Sequence, residues 1–159
     1  MSEFPAKLFR LPMDDNASLL LDQQLCFALY SASNHITRAY RGPLAEIGLT
    51  YPQYLAMLVL WQHGEQSVKG LSDRLLLDSS TLTPLLKRLE IAGLVNRQRH
   101  PGDERVVRVL LTPQGKALRF SAAKIQRQVA QRTRLSNQGF IQLRAQLNEL
   151  TAAFTPTQP

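Results

Sequence analysis

The stretch SSTLTPLLKRLEIAGLV, residues 79–95, followed by DERVVRVLLT, residues 103–112, decides the fold. Leucines recur at helical spacing through the first part as far as Gly93, a residue type that favours the end of a helix. The second part combines valine and leucine with arginine, and the Pro-Gly-Asp run at residues 101–103 has the chemistry of a turn. The pattern predicts one helix and then a β-hairpin with basic flanks.

A shorter helix is predicted just upstream, over residues 69–76. It is followed by Asp78 and Ser79, residue types that favour the N-cap of the next helix. Two short helices joined by a tight turn are typical of a helix-turn-helix. A basic hairpin directly after them is typical of a winged helix.

Longer helical patterns lie on both sides of this unit. Apolar residues recur at helical spacing over residues 17–41, and we expect the Gly-Pro pair at residues 42–43 to stop that helix. Thr50 and Gln53 have the spacing of a capping box, which predicts a second helix from there to Gly64.

On the C-terminal side, Thr112 and Pro113 form a favourable helix start, because the N–H that proline lacks is not needed there. Two helices rich in glutamine, arginine and leucine are predicted to follow, over residues 115–134 and residues 137–154.

The basic residues are concentrated in the middle of the chain, which carries a formal net charge of +7. Residues 1–65 contain 4 Lys and Arg against 6 Asp and Glu, residues 66–134 contain 14 against 5, and residues 135–159 contain 1 against 1. A basic excess confined to one stretch indicates a surface for a polyanion. Charge alone does not decide between three explanations: binding to nucleic acid, binding to an anionic membrane surface, and a role of the charge in solubility only.

The predicted winged helix narrows that choice to duplex DNA. Its second helix has a polar face with hydroxyl donors and cations, as the major groove requires, and leucines on the other face. The candidate DNA-binding residues on this helix are Ser79, Ser80, Thr81, Thr83, Lys87 and Arg88. On the hairpin they are Arg97, Arg99, Arg105 and Arg108, which would reach phosphates or a minor groove. Taken singly, each of these residues fits a solvated surface better, whereas the whole arrangement, with the basic excess confined to it, favours DNA binding.

The two quoted stretches resemble the recognition helix and wing of the MarR family of bacterial regulators, and the resemblance covers about residues 20–150. The wing of that family carries an Asp-x-Arg pair, which Asp103 and Arg105 match. The resemblance implies that Arg105 enters the minor groove of DNA while Asp103 orients it. It also implies an obligate homodimer in which the first and last helices interlock, and such a two-fold protein reads a palindromic operator.

The predicted fold is therefore mainly α, of the α+β class: a winged helix-turn-helix with flanking N- and C-terminal dimerisation helices. We expect a single domain over residues 1–159. Within it, the DNA-binding region is predicted over residues 50–112, and the helical dimerisation region over residues 17–48 and 113–154.

The chain has one cysteine, Cys26, which excludes an intrachain disulfide and agrees with a reducing compartment. It is either a small buried hydrophobe or a single reactive thiol. Tyr30 lies one helical turn after it, and a phenol that donates to sulfur favours the thiolate. Fourteen residues of straight helix span roughly 21 Å, so a Tyr40 in contact with this sulfur would belong to the other subunit.

The run LDQQLCFALY, residues 21–30, and the tyrosine spacing resemble the OhrR branch of that family, whose members sense organic hydroperoxides. The resemblance implies that Cys26 is the peroxide-reactive thiol, that Tyr40 and Tyr51 hydrogen-bond it, and that Tyr30 lines the same pocket. No second cysteine is present, so the chain resembles the one-cysteine kind, in which a small cellular thiol caps the oxidised sulfur. The expected function is a repressor that releases its operator on oxidation.

Two other functions remain open. One is a regulator that a lipophilic or phenolic ligand releases from DNA, in which Cys26 only fills space in the fold. The other, which is less favoured, is a thiol peroxidase. We expect no cofactor and no metal site, because His35, His63 and His100 are scattered in the sequence. No apolar run approaches the ~18 residues of a membrane span and no basic leader is present, so we expect a cytoplasmic protein.

Overall fold

The computed structural model describes residues 19–154, in which a short 3-10 turn at Leu21–Gln23 is followed by helices and a three-stranded sheet. The helices are α1 (Leu25–Glu46), α2 (Tyr51–His63), α3 (Val68–Leu75), α4 (Ser79–Ile91), α5 (Pro113–Ala117), α6 (Arg119–Arg132) and α7 (Asn137–Phe154). The strands are β1 (Gln66–Ser67), β2 (Val95–His100) and β3 (Asp103–Leu111). The described residues divide into two compact units, the first ending at Arg38 and the second beginning at Ala39.

The described part of the first unit contains exposed apolar side chains on α1. Leu25 is 61% exposed and Tyr30 is 66% exposed, and Phe27 and Ile36 are exposed as well. No side chain between residues 19 and 38 is buried in the single chain. Residues 17 and 18 of the helix predicted from residue 17 lie outside the described residues, and the predicted start was wrong: the helix begins at Leu25, after the 3-10 turn.

The first helix does not stop at Gly42 and Pro43, as the sequence led us to expect, but continues one turn further to Glu46. Pro43 removes one backbone donor from the helix, and the burial of Leu44, which is 0% exposed, holds the last turn against the core. The helix ends at Glu46, and the chain turns away at Gly48, where φ is +74°; the N–H of Leu49 donates to the carbonyl of Leu44 at 2.9 Å.

The second helix begins and ends as predicted. The N–H of Gln53 donates to the Thr50 hydroxyl, and the Gln53 side-chain oxygen accepts from the Thr50 N–H at 2.8 Å, which completes the capping box. Gly64, with φ of +72°, ends the helix. The helix packs Tyr54, Met57 and Leu60 into the core.

The helix-turn-helix consists of α3 and α4, and the hairpin that follows it consists of β2 and β3, as predicted. The sheet order is β1-β3-β2 with antiparallel pairing, and Gln66 and Ser67 pair with Val109 and Arg108. Strand β1 was not predicted, because two residues are too short to show the alternation that identifies a strand.

The helix predicted over residues 115–134 is divided into α5 and α6 at Leu118. Gly115 in α5 packs closely against the backbone that precedes β2: a Cβ there would lie 2.0 Å from the Leu94 carbonyl oxygen. The indole N–H of Trp61 donates to the Gly115 carbonyl at 2.8 Å, which fixes α5 against α2. The last helix, α7, has the predicted bounds and no buried residue.

The core lies in the second unit, between the helix-turn-helix, the sheet and α6. Its largest fully buried side chains are Leu44, Met57, Leu60, Leu71, Leu82, Leu86, Leu89, Val95 and Val109. Within residues 19–154, no helix combines the length and apolarity that crossing a membrane requires. The core fixes α4 beside the hairpin, and these two elements carry the basic candidate residues.

Candidate nucleic-acid interface and tyrosine cluster

Helix α4 has one polar, exposed face and one apolar, buried face. The buried side chains are Leu82, Leu85, Leu86 and Leu89. The exposed side chains include all six candidates from the sequence: Ser79, Ser80, Thr81, Thr83, Lys87 and Arg88. This division follows from the 3.6-residue period, which places the leucines on one stripe. The arrangement gives the helix a continuous surface of hydroxyl groups and cations.

The start of α4 leaves its first turn open to a ligand. The Asp78 side chain makes no capping hydrogen bond, so backbone N–H groups there are not occupied by the cap. The Thr83 hydroxyl donates to the Ser79 carbonyl at 2.8 Å, which leaves lone pairs on its oxygen as acceptors. A helix start with this geometry favours an anionic group such as a phosphate.

At the tip of the hairpin, Asp103 and Arg105 are exposed and directly linked. The Asp103 Oδ1 accepts a hydrogen bond from the Arg105 backbone N–H at 3.0 Å. The carboxylate therefore fixes the backbone from which the Arg105 side chain extends. Arg99, on the opposite strand, is exposed too. We name these three residues, Arg99, Asp103 and Arg105, the wing tip.

Arg97 forms an ion pair within the chain. Its Nη2 and Nε lie 2.8 Å and 2.9 Å from the Oε2 of Glu90, and its backbone N–H donates to the Oε1 at 3.0 Å. Hydrogen bonding from the Arg97 side chain, and then from its backbone, holds the pKa of Glu90 below its ordinary value. This bidentate contact joins the last turn of α4 to β2.

Arg108 forms the second ion pair, with Glu65, the residue that precedes β1. The first pair therefore joins β2 to α4, and the second joins the central strand β3 to the residue before β1. Arg97 and Arg108 are half-buried, unlike Arg99 and Arg105. The sequence analysis missed Glu65 and Glu90 as partners, although each is an isolated acidic residue in the basic stretch or next to it.

Three tyrosines of the second unit, Tyr40, Tyr51 and Tyr54, pack against one another, and we call them the tyrosine cluster. The Tyr40 ring centroid lies 5.3 Å from that of Tyr51 and 5.5 Å from that of Tyr54. Tyr54 is only 2% exposed, and its ring also contacts Trp61 at 6.4 Å. Tyr54 was not among the predicted residues, although its position three residues after Tyr51 places both on one helix face.

Burial raises the pKa of all three phenols. Burial is the main cause for Tyr40, the charge of Tyr51 adds to it, and the interaction with the Tyr54 hydroxyl lowers the pKa in part. For Tyr51, burial alone raises the pKa. For Tyr54, burial and the charges of Tyr40 and Tyr51, together with its hydrogen bond to Tyr40, raise the pKa to about 12. The cluster is therefore uncharged near neutral pH.

Cys26 and Tyr30 lie in the first unit, near the start of α1, and both are exposed. They occupy neighbouring turns of one helix, so their side chains share a face. The thiol is open to solvent in the single chain.

A cavity of about 550 Å³ lies between α2 and α6, beside the tyrosine cluster. Its lining residues are Tyr54, Leu58, Trp61, Gln62, Arg119, Ala122, Ala123 and Gln126. Of these, Arg119 carries a charge, so the cavity combines an aromatic wall with one cation. Within residues 19–154, no group of three or more His, Cys, Asp or Glu side chains has the arrangement of a metal site.

Comparison with known proteins gives a consistent result. Residues 49–107 match the MarR family. Over 130 residues the chain is 42% identical to the organic hydroperoxide resistance transcriptional regulator of Bacillus subtilis, covering 82% of this chain and 88% of that protein. It is 56% identical over 106 residues to the regulator TtmR of Methylorubrum extorquens, but this match spans 67% of the chain and about half, 53%, of TtmR.

Among solved structures, reduced AbfR of Staphylococcus epidermidis bound to DNA is similar, with a TM-score of 0.71 and 31% identity, covering 85% of this chain and 94% of that one. Structures of AbfR also exist in an overoxidised form bound to DNA and in a disulfide form.

Proposed function

The chain belongs to the MarR family, and from this premise we propose that it is a transcriptional repressor that binds palindromic duplex DNA as a homodimer. We propose further that an organic hydroperoxide oxidises Cys26 and that the oxidised dimer releases its operator. The relatives are transcription regulators, which supports a regulator over the thiol peroxidase considered from the sequence.

The proposal that the protein binds DNA rests on helix α4, which has one polar, exposed face and one apolar, buried face. Its hydroxyl groups and cations are exposed together, on a helix that its leucines fix to the core. A helix of this kind fits the major groove, where Lys87 and Arg88 would meet acceptors on bases or phosphates. AbfR, at 31% identity, has been solved bound to DNA, which supports DNA as the partner.

The wing tip has a separate role in the proposal. Arg105 enters the minor groove, whose negative potential attracts a guanidinium, and Asp103 orients it through the backbone hydrogen bond. Arg97 and Arg108 were also predicted to contact DNA, and their guanidinium groups form ion pairs with Glu90 and Glu65. We propose that these two arginines fix the shape of the wing, and that any phosphate contact they make is secondary.

Dimerisation is supported by apolar side chains that one chain leaves exposed. On α1 these include Leu25 and Phe27, and on α7 they are Phe140, Ile141, Leu143, Leu147 and Phe154. Within residues 19–154, nothing in the single chain covers either group of apolar side chains. A second copy that covers both groups would bury them, which favours association of the terminal helices.

The sensor part rests on the thiol of Cys26 and on the resemblance to a hydroperoxide regulator at 42% identity. The thiolate attacks the outer oxygen of the hydroperoxide, so that an S–O bond forms as the O–O bond breaks and the alcohol leaves with a proton. The resulting sulfenic acid then condenses with a small cellular thiol, which gives a mixed disulfide and water.

The tyrosines that assist this step would come from the partner subunit. Cys26 and Tyr40 lie in the same helix, fourteen residues apart, and that separation corresponds to a rise of ~21 Å. A hydrogen bond between them therefore joins two chains. The added bulk at Cys26 would shift the packing of α1 against its partner and so change the separation of the two wings.

A second candidate is a regulator released by a lipophilic or phenolic ligand. The cavity beside the tyrosine cluster favours it, because Arg119 and the aromatic wall would hold an aromatic acid. In this case a Cys26→Ser protein would still release DNA in the presence of salicylate.

The deciding experiment is an electrophoretic mobility shift with the promoter DNA upstream of the protein's own gene. Wild-type protein and Cys26→Ser are compared with cumene hydroperoxide alone, and with cumene hydroperoxide and a small thiol. We expect release of DNA by wild-type protein only, and most completely with the thiol, because overoxidised AbfR has been seen on DNA. Release of DNA by oxidised Cys26→Ser would contradict the sensor role of Cys26.

A further inference from the structure

We propose that a cationic groove between α3, α4 and the wing holds one phosphate of the operator backbone, and that Lys69 is the residue that binds it. The groove has a volume of about 460 Å³, and its polar lining residues are Ser67, Lys69, Thr83, Arg97 and Arg105. Lys69 was not among the DNA-binding residues predicted from the sequence. The inference rests on the proposed function, because the phosphate belongs to the DNA that α4 and the wing tip bind.

The groove is formed by three elements of the second unit. The start of α3 contributes Val68 and Lys69, helix α4 contributes Leu86, and strand β3 contributes Val106 and Val107. Leu86 is fully buried in the core and the three valines are half-buried, so the apolar lining is fixed. The groove therefore has its shape before a ligand enters, which lowers the cost of binding.

The charged side chains that line the groove are all cationic, but they are not equivalent. Arg97 is paired with Glu90, so the two together carry no net charge. Lys69 and Arg105 are exposed, and Lys69 takes part in none of the ion pairs between described residues. The net positive potential of the groove therefore comes from Lys69 on α3 and Arg105 on β3.

The two hydroxyl groups differ in whether they can still donate. The Thr83 hydroxyl donates to the Ser79 carbonyl at 2.8 Å, so its single proton is used. The Ser67 oxygen caps α3 by accepting from the Gly70 N–H at 2.9 Å, which leaves its own proton for a ligand. Ser67 and Lys69 thus offer a hydroxyl and an ammonium group from one turn, a combination that suits a phosphate oxygen.

The position of the groove identifies the anion as a phosphate of DNA. A major groove and the minor groove beside it are separated by one sugar-phosphate strand. When α4 lies in the major groove and Arg105 in the adjacent minor groove, as proposed, that strand crosses the space between them. The groove occupies this space, since Thr83 of α4 and Arg105 of β3 both line it.

The test is a titration of the full-length protein with a duplex from its own promoter, and with a scrambled duplex of the same length, at several salt concentrations. Lys69→Ala and Lys69→Gln remove the ammonium group, and Lys69→Arg keeps the charge. Lys124→Ala, which removes an exposed cation from α6, is the control. A series of promoter duplexes, each with one phosphate replaced by an uncharged methylphosphonate, locates the contact.

We expect Lys69→Ala and Lys69→Gln to weaken binding to both duplexes by the same factor, roughly tenfold or more at about 0.1 M salt. The slope of log affinity against log salt should fall by ~0.9 for each bound subunit. Lys69→Arg should keep the wild-type slope, and Lys124→Ala should match the wild type. One methylphosphonate in each half-site should weaken binding of the wild type but not of Lys69→Ala, which has already lost that contact.

The inference is overturned if the neutral Lys69 variants have the wild-type affinity and salt slope, or if Lys124→Ala loses as much affinity as they do. It is also overturned if every methylphosphonate has the same effect on Lys69→Ala as on the wild type. Failure of the proposed function has a different signature, because the wild-type protein then shows no salt-sensitive affinity for either duplex. If Arg105→Ala weakens binding and the neutral Lys69 variants do not, only the role of Lys69 is wrong.

Discussion

The Nη2 of Arg97 lies 2.8 Å from the Oε2 of Glu90, and this contact ties the end of the candidate recognition helix α4 to the first strand of the wing. The same carboxylate accepts a hydrogen bond from the Arg97 backbone N–H. One acidic side chain thus sets the position of the hairpin relative to the helix. Both elements must meet the same DNA duplex, so their relative position bears on affinity.

Replacing Glu90 by Gln is expected to destabilise the fold by ~1 kcal/mol. A partly exposed ion pair alone contributes less than this, but Glu90 accepts two hydrogen bonds from the Arg97 guanidinium and one from its backbone N–H. DNA affinity should fall as well, since the hairpin is held less firmly. Thermal unfolding and DNA titration measure the two effects. Glu149→Gln, on the exposed surface of α7, is the matched control. Equal behaviour of the two variants would contradict the role of Glu90.

Replacing Arg105 by Ala is expected to weaken binding to operator DNA by roughly tenfold or more and to reduce the salt dependence of binding by about one phosphate contact. The reason is the loss of a guanidinium from the wing tip, where Asp103 holds its backbone. Titrations at several salt concentrations give both numbers. Lys124→Ala, which removes an exposed cation from α6, should leave the affinity nearly unchanged; a comparable loss there would show that only net charge matters.

The stability of the protein should decrease between pH 10 and about pH 12, because the pKa of Tyr54 is raised from 10.0 to about 12 by folding. A phenol with a higher pKa in the folded state stabilises the fold fully below its unfolded pKa and loses that contribution as the pH rises through the folded one. Urea unfolding across this pH range measures the effect. Tyr54→Phe should show a shallower decrease, and an identical pH dependence would count against burial of this hydroxyl.

Replacing Gly115 by Ala is expected to destabilise the fold by ~3 kcal/mol, because overpacking of a fixed backbone contact has costs of this order. The new Cβ would lie 2.0 Å from the Leu94 carbonyl oxygen, which cannot move without disturbing β2. Gly42→Ala is the control: no atom lies within 4 Å of its Cβ position, and alanine favours the helix by ~1 kcal/mol. Thermal unfolding compares the two. A tolerated Gly115→Ala would contradict the packing described for α5.

Most of the fold could be predicted because local signals and tertiary packing agree. The capping box at Thr50 and the leucine stripe of α4 are each encoded within a few residues, and the structure contains both. The expected end at Pro43 was wrong because burial of Leu44 outweighs the missing backbone donor, and burial is not visible in a local pattern. The close packing of Gly115 likewise involves Leu94, which is distant in sequence.

The candidate site was predictable to a smaller degree. The exposed face of α4 follows from helical periodicity, but the pairing of Arg97 and Arg108 with acidic residues depends on how the sheet packs against the helices. Counting arginines in the sequence does not distinguish a guanidinium group that forms an ion pair within the chain from one at the surface. Tyr54 was missed because the sequence spacing relates Cys26 to other tyrosines, while the contact between Tyr54 and Tyr40 arises only when α1 and α2 pack together.

Trp61 is the single tryptophan of the chain, and its ring lies 6.4 Å from that of Tyr54 while its indole N–H is held by Gly115. Its fluorescence therefore originates from one known place, beside the tyrosine cluster and the cavity. Excitation of the nearby phenols will pass to this indole by energy transfer, so the emission is sensitive to any movement of those rings. The protein thus carries a built-in optical label, with which peroxide or small-molecule binding can be followed in real time without attaching a dye.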